Sequence, residues 1–157
     1  MRTLAFALAL LAAPASAAPV QDRAVLTLEG AKAVLAAAEA DAVKRNLKVT
    51  ITIVDFAGLP IAMARMDDAS TVGVEISLAK ARTAAGFNTP TAAYEQRLQK
   101  ENALRLLTMP VLASEGGIPI KVKGRTVGAI GVSGATSQED GLIATAGIAA
   151  IEPALPR

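Results

Sequence analysis

The stretch VTITIVDFAGLPIAMAR, residues 49–65, decides the fold. Its first six residues alternate branched apolar side chains with threonine, a pattern typical of a β-strand. Asp55 to Gly58 has the composition of a turn, and residues 59–65 return as a second strand with Ile61 and Met63 on one face. The stretch therefore predicts a β-hairpin.

Helical periodicity precedes and follows this hairpin. Apolar residues keep helical spacing over residues 28–45, and Thr27 is a good N-cap for that helix. A second long helix is predicted over about 72–86, a short one over 91–98, and a further helical turn or two over 100–108.

The last third of the chain predicts a strand, a turn, a strand and a helix. Residues 118–122 alternate, Lys123 and Gly124 form a tight turn, and residues 126–133 return. Ser137 with an acidic residue three positions later resembles a capping box, which opens a helix over 137–151. Because strands and helices do not alternate regularly, we expect an α/β fold of the α+β type. Its sheet would have about five antiparallel strands with helices packed on it.

Composition excludes several classes of function. Of the 157 residues, 52% are apolar and 19% charged, which is typical of a globular domain. A net charge of +2 gives no electrostatic footprint for nucleic acid or an anionic membrane. The chain has no histidine and no cysteine, which excludes a Ser-His-Asp hydrolase, thiolate chemistry and a zinc site of the usual kind. We expect no nucleic-acid partner and no protein-held metal ion.

The N-terminus predicts a secretory signal peptide. Arg2 is the charged start, residues 4–13 are apolar, and Ala15 and Ala17 form a small-residue cleavage site. An apolar run of about ten residues is too short to span a bilayer. We therefore expect cleavage after Ala17 and secretion, to the periplasm, without a membrane anchor. The predicted divisions are a signal peptide (1–17), a short leader (18–26), a single domain (27–152) and a tail (153–157).

Two cations follow the apolar stripe of the second predicted helix. Lys80 and Arg82 could form a solvated face. Lys80, however, lies one turn from Ile76 and Thr83, so its stem can run along the stripe and its head can reach a pocket edge. Arg82 lies about 200° further around the helix and should point to solvent or to a neighbouring subunit. Thr83 lies within the stripe and needs a hydrogen-bond partner.

Other polar and glycine positions admit two interpretations. Asp55 is either a hairpin residue or part of a site, and Arg65 either pairs with Asp67 or binds a ligand. Gly116 and Gly117 form either a flexible turn or a pair of amides open to an anion. Glycines inside the last predicted strand indicate a close approach of a helix, a subunit or a ligand to its backbone. These are Gly128 and Gly131.

Taken in order, these segments resemble the GlcG/HbpS haem-binding-protein family, from Thr27 to about Ile151. The segments are Val54-Asp55 with Gly58, Arg65-Met66-Asp67, AKARTA (79–84), Pro90-Thr91, GGIPI (116–120), GAIGVSG (128–134) and Glu139-Asp140. The resemblance implies a profilin-like fold with a five-stranded antiparallel sheet flanked by helices. It also implies a homo-oligomer.

The resemblance also implies a haem ligand, and the function predicted is an exported haem (tetrapyrrole)-binding protein. Haem needs an apolar slot, cations for its two propionates and optionally an iron ligand. Some members of the family bind haem through a histidine, whereas this chain would bind it without one. The candidate ligand-binding residues are Arg65, Lys80, Thr83, Phe87, Gly116 and Gly117, with Met109 or Tyr94 as a candidate iron ligand.

The alternative function is binding, or enzymatic conversion, of a small carboxylate or another metabolite in a pocket between subunits. Lys80 or Arg65 would hold the anion, and the Gly116 and Gly117 amides would add donors. No spacing in the chain selects a reaction. If a reaction required a proton transfer, the candidate groups to carry the proton are Asp55, Glu115 and Asp140.

Overall fold

The computed structural model describes residue 20 and residues 22–156, so the predicted signal peptide lies outside the described residues. The helices are α1 (Leu28–Lys44), α2 (Gly73–Phe87), α3 (Thr91–Lys100) and α4 (Ser137–Ala149). The strands are β1 (Thr50–Asp55), β2 (Pro60–Arg65), β3 (Gly117–Val122) and β4 (Arg125–Ser133). Two 3₁₀ segments follow α3 and α4, at Leu104–Thr108 and Glu152–Ala154.

The described strands form one four-stranded antiparallel sheet in the order β2-β1-β4-β3. The predicted hairpin is confirmed as β1 and β2. The expectation of about five strands was wrong for the described residues, which contain only the four strands that the alternating patterns locate. Gly116, with φ of 123°, turns the chain just before β3 begins, and its carbonyl accepts a hydrogen bond from the Val132 amide of β4 at 3.0 Å.

The sheet separates two apolar clusters. Ile51 and Ile53 of β1 point to the larger cluster, which α1 and α4 cover. Val54 belongs to a smaller cluster that the alanines of α2 cover on the opposite face. Alternation along β1 thus sends isoleucine to one layer and threonine to the other, where the Thr52 and Ser77 hydroxyls lie 2.8 Å apart.

Close helix packing explains the glycine in β4. A Cβ at Gly131 would collide with the Ser77 main-chain oxygen of α2. At Gly128 a Cβ would lie 2.8 Å from the Leu26 side chain. The predicted close approach to the backbone of this strand is therefore confirmed at both glycines.

The predicted helix starts are close to those observed. Thr27 caps α1 by accepting a hydrogen bond from the Gly30 amide, as expected. The capping box of α4 lies one residue earlier than predicted, because Thr136 and Glu139 exchange the reciprocal bonds. Asp140 is therefore left for other partners. Within residues 22–156 no helix combines the length and hydropathy needed to cross a membrane.

Candidate functional site

A cavity of about 340 Å³ lies between α3 and the 3₁₀ segment that follows it. Its volume is at the low end of the range of about 300–1,000 Å³ that ligand pockets occupy. We call it the α3 cavity. Its lining residues are Tyr94, Arg97, Ala103, Arg105, Leu106 and Met109.

A reversal of the chain after α3 builds this cavity. Tyr94 and Arg97 are one helical turn apart and therefore share a face of α3. Asn102, with φ of 51°, reverses the backbone, and the Ala103 amide bonds back to the Arg97 carbonyl. Leu106 of the 3₁₀ segment is consequently buried against this face.

The Tyr94 ring is a fixed wall of the α3 cavity. The side chain is only 8% exposed. Its ring packs edge-on against Phe87 of α2, with centroids 5.8 Å apart and planes at 68°. Edge-to-face packing of this kind orients both rings. Phe87, a predicted site residue, therefore supports the cavity from behind Tyr94.

The two arginines of the α3 cavity are free to bind an anion. Arg97 lies 3.6 Å from Glu101, and the two side chains are 52% and 65% exposed. An exposed ion pair of this kind contributes about 0–1 kcal/mol to stability, so a ligand carboxylate can replace Glu101 as the partner of Arg97. Arg105 is also exposed. A guanidinium can bind a carboxylate through two parallel hydrogen bonds.

Met109 also lines a second cavity of about 420 Å³ beside α2. Thr83, another predicted site residue, lies there, and its hydroxyl accepts a hydrogen bond of 2.9 Å from the Leu112 amide. The expectation that Thr83 needs a partner is confirmed. Arg82 also lines this cavity; it is exposed and its Nε donates to the Gly58 carbonyl at 3.1 Å.

Lys80 lies in the protein interior instead of at a pocket edge. It is 2% exposed, and its Nζ donates to Asp140 Oδ2 at 2.7 Å. The other Asp140 oxygen accepts from the Ala135 amide at 3.1 Å. Burial raises the pKa of the Asp140 carboxyl, and the hydrogen bond from Lys80 opposes this rise. The prediction that its head reaches a pocket edge was therefore wrong, because its charge is paired with Asp140 in the interior.

The glycine pair before β3 makes room for this ion pair. A Cβ at Gly116 would lie 2.8 Å from Asp140 Cβ and 2.9 Å from Lys80 Nζ. The Gly117 amide donates to the Thr91 hydroxyl at 2.9 Å, so it is not open to a ligand. This geometry lends no support to an anion site at Gly117.

Two further carboxylates lie next to the ion pair. Glu95 of α3 accepts hydrogen bonds from the Glu115 amide at 2.5 Å and from the Ser137 hydroxyl at 2.9 Å. Burial raises the pKa of the Glu115 carboxyl, repulsion from Glu95 raises it further, and Lys80 lowers it. In residues 22–156 no group of three such side chains is arranged to hold a metal ion.

Asp55 and Arg65 have structural partners in and near the hairpin. Asp55 Oδ1 accepts from the Ala57 and Leu59 amides at 2.8 and 2.9 Å, which closes the β1–β2 turn. Arg65, on the edge strand β2, donates to the Ala69 carbonyl at 2.8 Å. Of the described ion pairs none joins Arg65 to Asp67, so the expected surface pair was wrong.

The structure thus divides the predicted site residues into three groups. Thr83, Phe87, Tyr94 and Met109 surround the two adjoining cavities. Lys80 and the glycine pair form a buried cluster, and Arg65 lies apart from both. None of these placements tests ligand binding, so the binding roles stay predictions.

Sequence reasoning missed Arg97 and Arg105. A signal was available, because Arg97 lies one turn after Tyr94 and Arg105 lies four residues before Met109. The segment between Pro90 and Pro110 therefore carries two cations beside both candidate iron ligands.

Comparison with known proteins identifies relatives across most of the chain. A family model described as haem-degrading protein HbpS-like matches residues 26–149. The chain is 37% identical over 115 residues to protein GlcG of Escherichia coli K12, which is 73% of this chain and 85% of GlcG.

Two solved structures share the fold. A double mutant of HbpS from Streptomyces reticuli superposes with a TM-score of 0.75 and 33% identity, over 88% of this chain and 97% of that one. The complex of PduOC with haem superposes with a TM-score of 0.74 and 29% identity, over 82% and 96% of the two chains.

Proposed function

The chain belongs to the HbpS-like family of haem-degrading proteins, and on this premise we propose that it binds haem in the α3 cavity. One observation carries the proposal. A single cavity brings together Arg97, Arg105 and the two candidate iron ligands, Tyr94 and Met109. A structural relative, PduOC, forms a complex with haem, which supports the same ligand class.

The two arginines fit the two propionates of haem. Arg97 and Arg105 are exposed, and the Glu101 partner of Arg97 is held only at 3.6 Å. Charge-assisted hydrogen bonds from guanidinium to carboxylate are about twice as strong as neutral ones. The propionates would therefore lie along the arginine side of the α3 cavity.

The apolar side chains of the cavity are of the kind that packs against a macrocycle. Tyr94 and Leu106 are buried side chains that present rigid apolar surface to the cavity. Met109 lines both this cavity and the second one beside α2. Methionine has an unbranched, flexible side chain. A rotation of Met109 would therefore enlarge the slot toward Thr83.

Bound haem would supply a redox-active iron whose properties depend on its axial ligand and surroundings. Of the side chains that line the α3 cavity, Met109 and Tyr94 are the ones with an atom known to ligate haem iron. No histidine is present in the chain. The protein's own contribution is therefore to orient the propionates and to exclude water from the ring.

A haemin titration tests this proposal. We expect a saturable shift of the Soret band with one haem per chain at micromolar protein. No saturable shift would overturn the proposal. If a hydroxy acid or a keto acid instead raised the melting temperature while haemin gave no shift, the small-carboxylate alternative would be favoured.

We also propose that the protein is exported and cleaved after Ala17. The charged start, the apolar run and the small residues at Ala15 and Ala17 support this. The mature N-terminus would then be Ala18, which N-terminal sequencing of the periplasmic fraction would detect. Full-length protein retained in the cytoplasm would contradict export.

Finally, we propose that the protein forms a homo-oligomer. Large apolar side chains are exposed on the edge strand β2 and in the sequence on either side of it, including Met63, Leu59 and Val72. Exposed apolar surface at a sheet edge favours association. Light scattering at tens of micromolar protein should give a multiple of the chain mass, and a monomer mass would contradict the proposal.

A further inference from the structure

We infer that the α3 cavity recognises a porphyrin by its two carboxylates and its apolar ring, and not by its iron. The ligand class is then a dicarboxylate porphyrin, with or without a metal. This inference rests on the proposed function and narrows it.

The donor set of the cavity is poor for iron. The chain has no histidine and no cysteine, the usual strong axial ligands. Met109 offers a thioether, which in c-type cytochromes ligates haem opposite a histidine. No histidine can take that opposite position here. Met109 is therefore a weak anchor for the metal.

Tyr94 is held in a structural position. Its ring is 8% exposed and packs edge-on against Phe87 at 5.8 Å. The ring therefore serves as an apolar wall of the cavity, with its orientation set by α2. Replacing Tyr94 by phenylalanine would retain this wall and remove the phenolic oxygen that could ligate iron.

The hydrogen-bond donors for the two ligand carboxylates are, by contrast, well placed. Arg97 and Arg105 line the same cavity from two consecutive segments, α3 and the 3₁₀ segment. Haem and metal-free protoporphyrin IX carry the same two propionates and nearly the same apolar ring. A site built on these features would bind both, because the iron adds little to the interaction.

The experiment compares three probes on the full chain. Haemin is followed at the Soret band, and protoporphyrin IX and its dimethyl ester are followed by porphyrin fluorescence. We expect the Kd values of haemin and protoporphyrin IX to agree within about threefold. The dimethyl ester, which lacks the carboxylates, should bind at least about tenfold more weakly than protoporphyrin IX.

Matched variants separate ring and carboxylate contacts from metal ligation. Met109→Leu and Tyr94→Phe should each leave the Soret maximum of bound haemin unmoved and change the Kd values of haemin and protoporphyrin IX by the same factor. Arg97→Gln with Arg105→Gln should weaken haemin and protoporphyrin IX by the same factor. Arg125→Gln, an exposed arginine outside the α3 cavity, is the control and should change neither.

Three results would overturn the inference while leaving the proposed function intact. One is a protoporphyrin IX Kd more than about threefold above that of haemin, and another is a dimethyl ester that binds as tightly as protoporphyrin IX. The third is a shifted Soret maximum, or lost haemin binding with protoporphyrin IX binding retained, in Met109→Leu or Tyr94→Phe. If neither haemin nor protoporphyrin IX binds the wild-type protein, the proposed function itself fails.

Discussion

Lys80 and Asp140 form a buried ion pair, with 2.7 Å between Nζ and Oδ2, that joins helices on opposite faces of the sheet. Lys80 belongs to α2 and Asp140 to the first turn of α4. Gly116, directly before the edge strand β3, leaves the space in which the two side chains meet. The pair therefore connects the two layers of the fold beyond the edge of the sheet.

Lys80→Met should destabilise the protein, because it leaves the Asp140 carboxylate buried without its partner. We expect a loss of about 3–5 kcal/mol in the free energy of unfolding, measured by urea denaturation. The sequence alone placed the charged head of Lys80 at a pocket edge, where this replacement would weaken ligand binding instead. Adding Asp140→Asn removes the unpaired charge, retains an acceptor for the Ala135 amide and should recover most of the loss.

Arg82→Met is the control on the same helix. Arg82 is exposed, and the variant loses one hydrogen bond, from Arg82 Nε to the Gly58 carbonyl. This loss should lower the free energy of unfolding by about 1 kcal/mol or less. Equal losses from Lys80→Met and Arg82→Met would show that the buried pair contributes no special stability.

Glu115→Gln should stabilise the protein at neutral pH. Burial and repulsion from Glu95 raise the pKa of Glu115 in the folded state, so the folded protein binds this proton more tightly than the unfolded chain. Stability is therefore lost as pH rises from the unfolded pKa toward the folded one. The amide avoids this loss, which we expect to be below about 1 kcal/mol.

The measurement is the melting temperature of wild type and Glu115→Gln between pH 4 and 8. The two curves should coincide at the acid end and separate as the pH rises, with the variant more stable. A variant that is less stable at neutral pH would contradict the raised pKa.

Gly131→Ala should destabilise the fold strongly. The new Cβ would collide with the Ser77 carbonyl oxygen, and moving α2 away would open the alanine-lined cluster. We expect a loss of about 2 kcal/mol or more. Gly86→Ala, at a helical position with nothing within 4 Å of the added Cβ, should instead stabilise by about 0.5–1 kcal/mol. Thermal denaturation of Gly131→Ala and Gly86→Ala tests this difference. A similar change in melting temperature for the two variants would contradict the packing argument.

Glu101→Gln should strengthen ligand binding. It releases Arg97 from its weak partner at 3.6 Å and leaves the guanidinium to the ligand carboxylate. We expect the haemin Kd to fall by about two- to threefold at low salt, and the difference should disappear at high salt. An increase in Kd would show that Glu101 positions Arg97 productively.

Local patterns predicted the hairpin and the long helices, because alternation at residues 49–54 and the spacing in α1 and α2 depend on near neighbours. The expectation of a fifth strand was wrong because it corresponds to no alternating segment of the sequence, and the described residues contain the four strands that such segments predict.

The burial of Lys80 could not be predicted in this way. Its partner Asp140 is 60 residues away in sequence, and the contact exists only once both helices pack on the sheet. The α3 cavity likewise depends on the reversal at Asn102, whose φ of 51° no periodicity indicates. Tyr94 and Met109 were recognised by their chemistry, whereas the arginines beside them needed the fold.

The most direct test of the haem proposal is the haemin Kd of Arg97→Gln/Arg105→Gln, measured beside wild type and Arg125→Gln at one salt concentration. The account predicts saturable binding to wild type and to Arg125→Gln with equal Kd. It predicts that the double variant, with an unchanged melting temperature, binds at least about tenfold more weakly. Equal haemin affinity in all three proteins would contradict the assignment of the site to the α3 cavity.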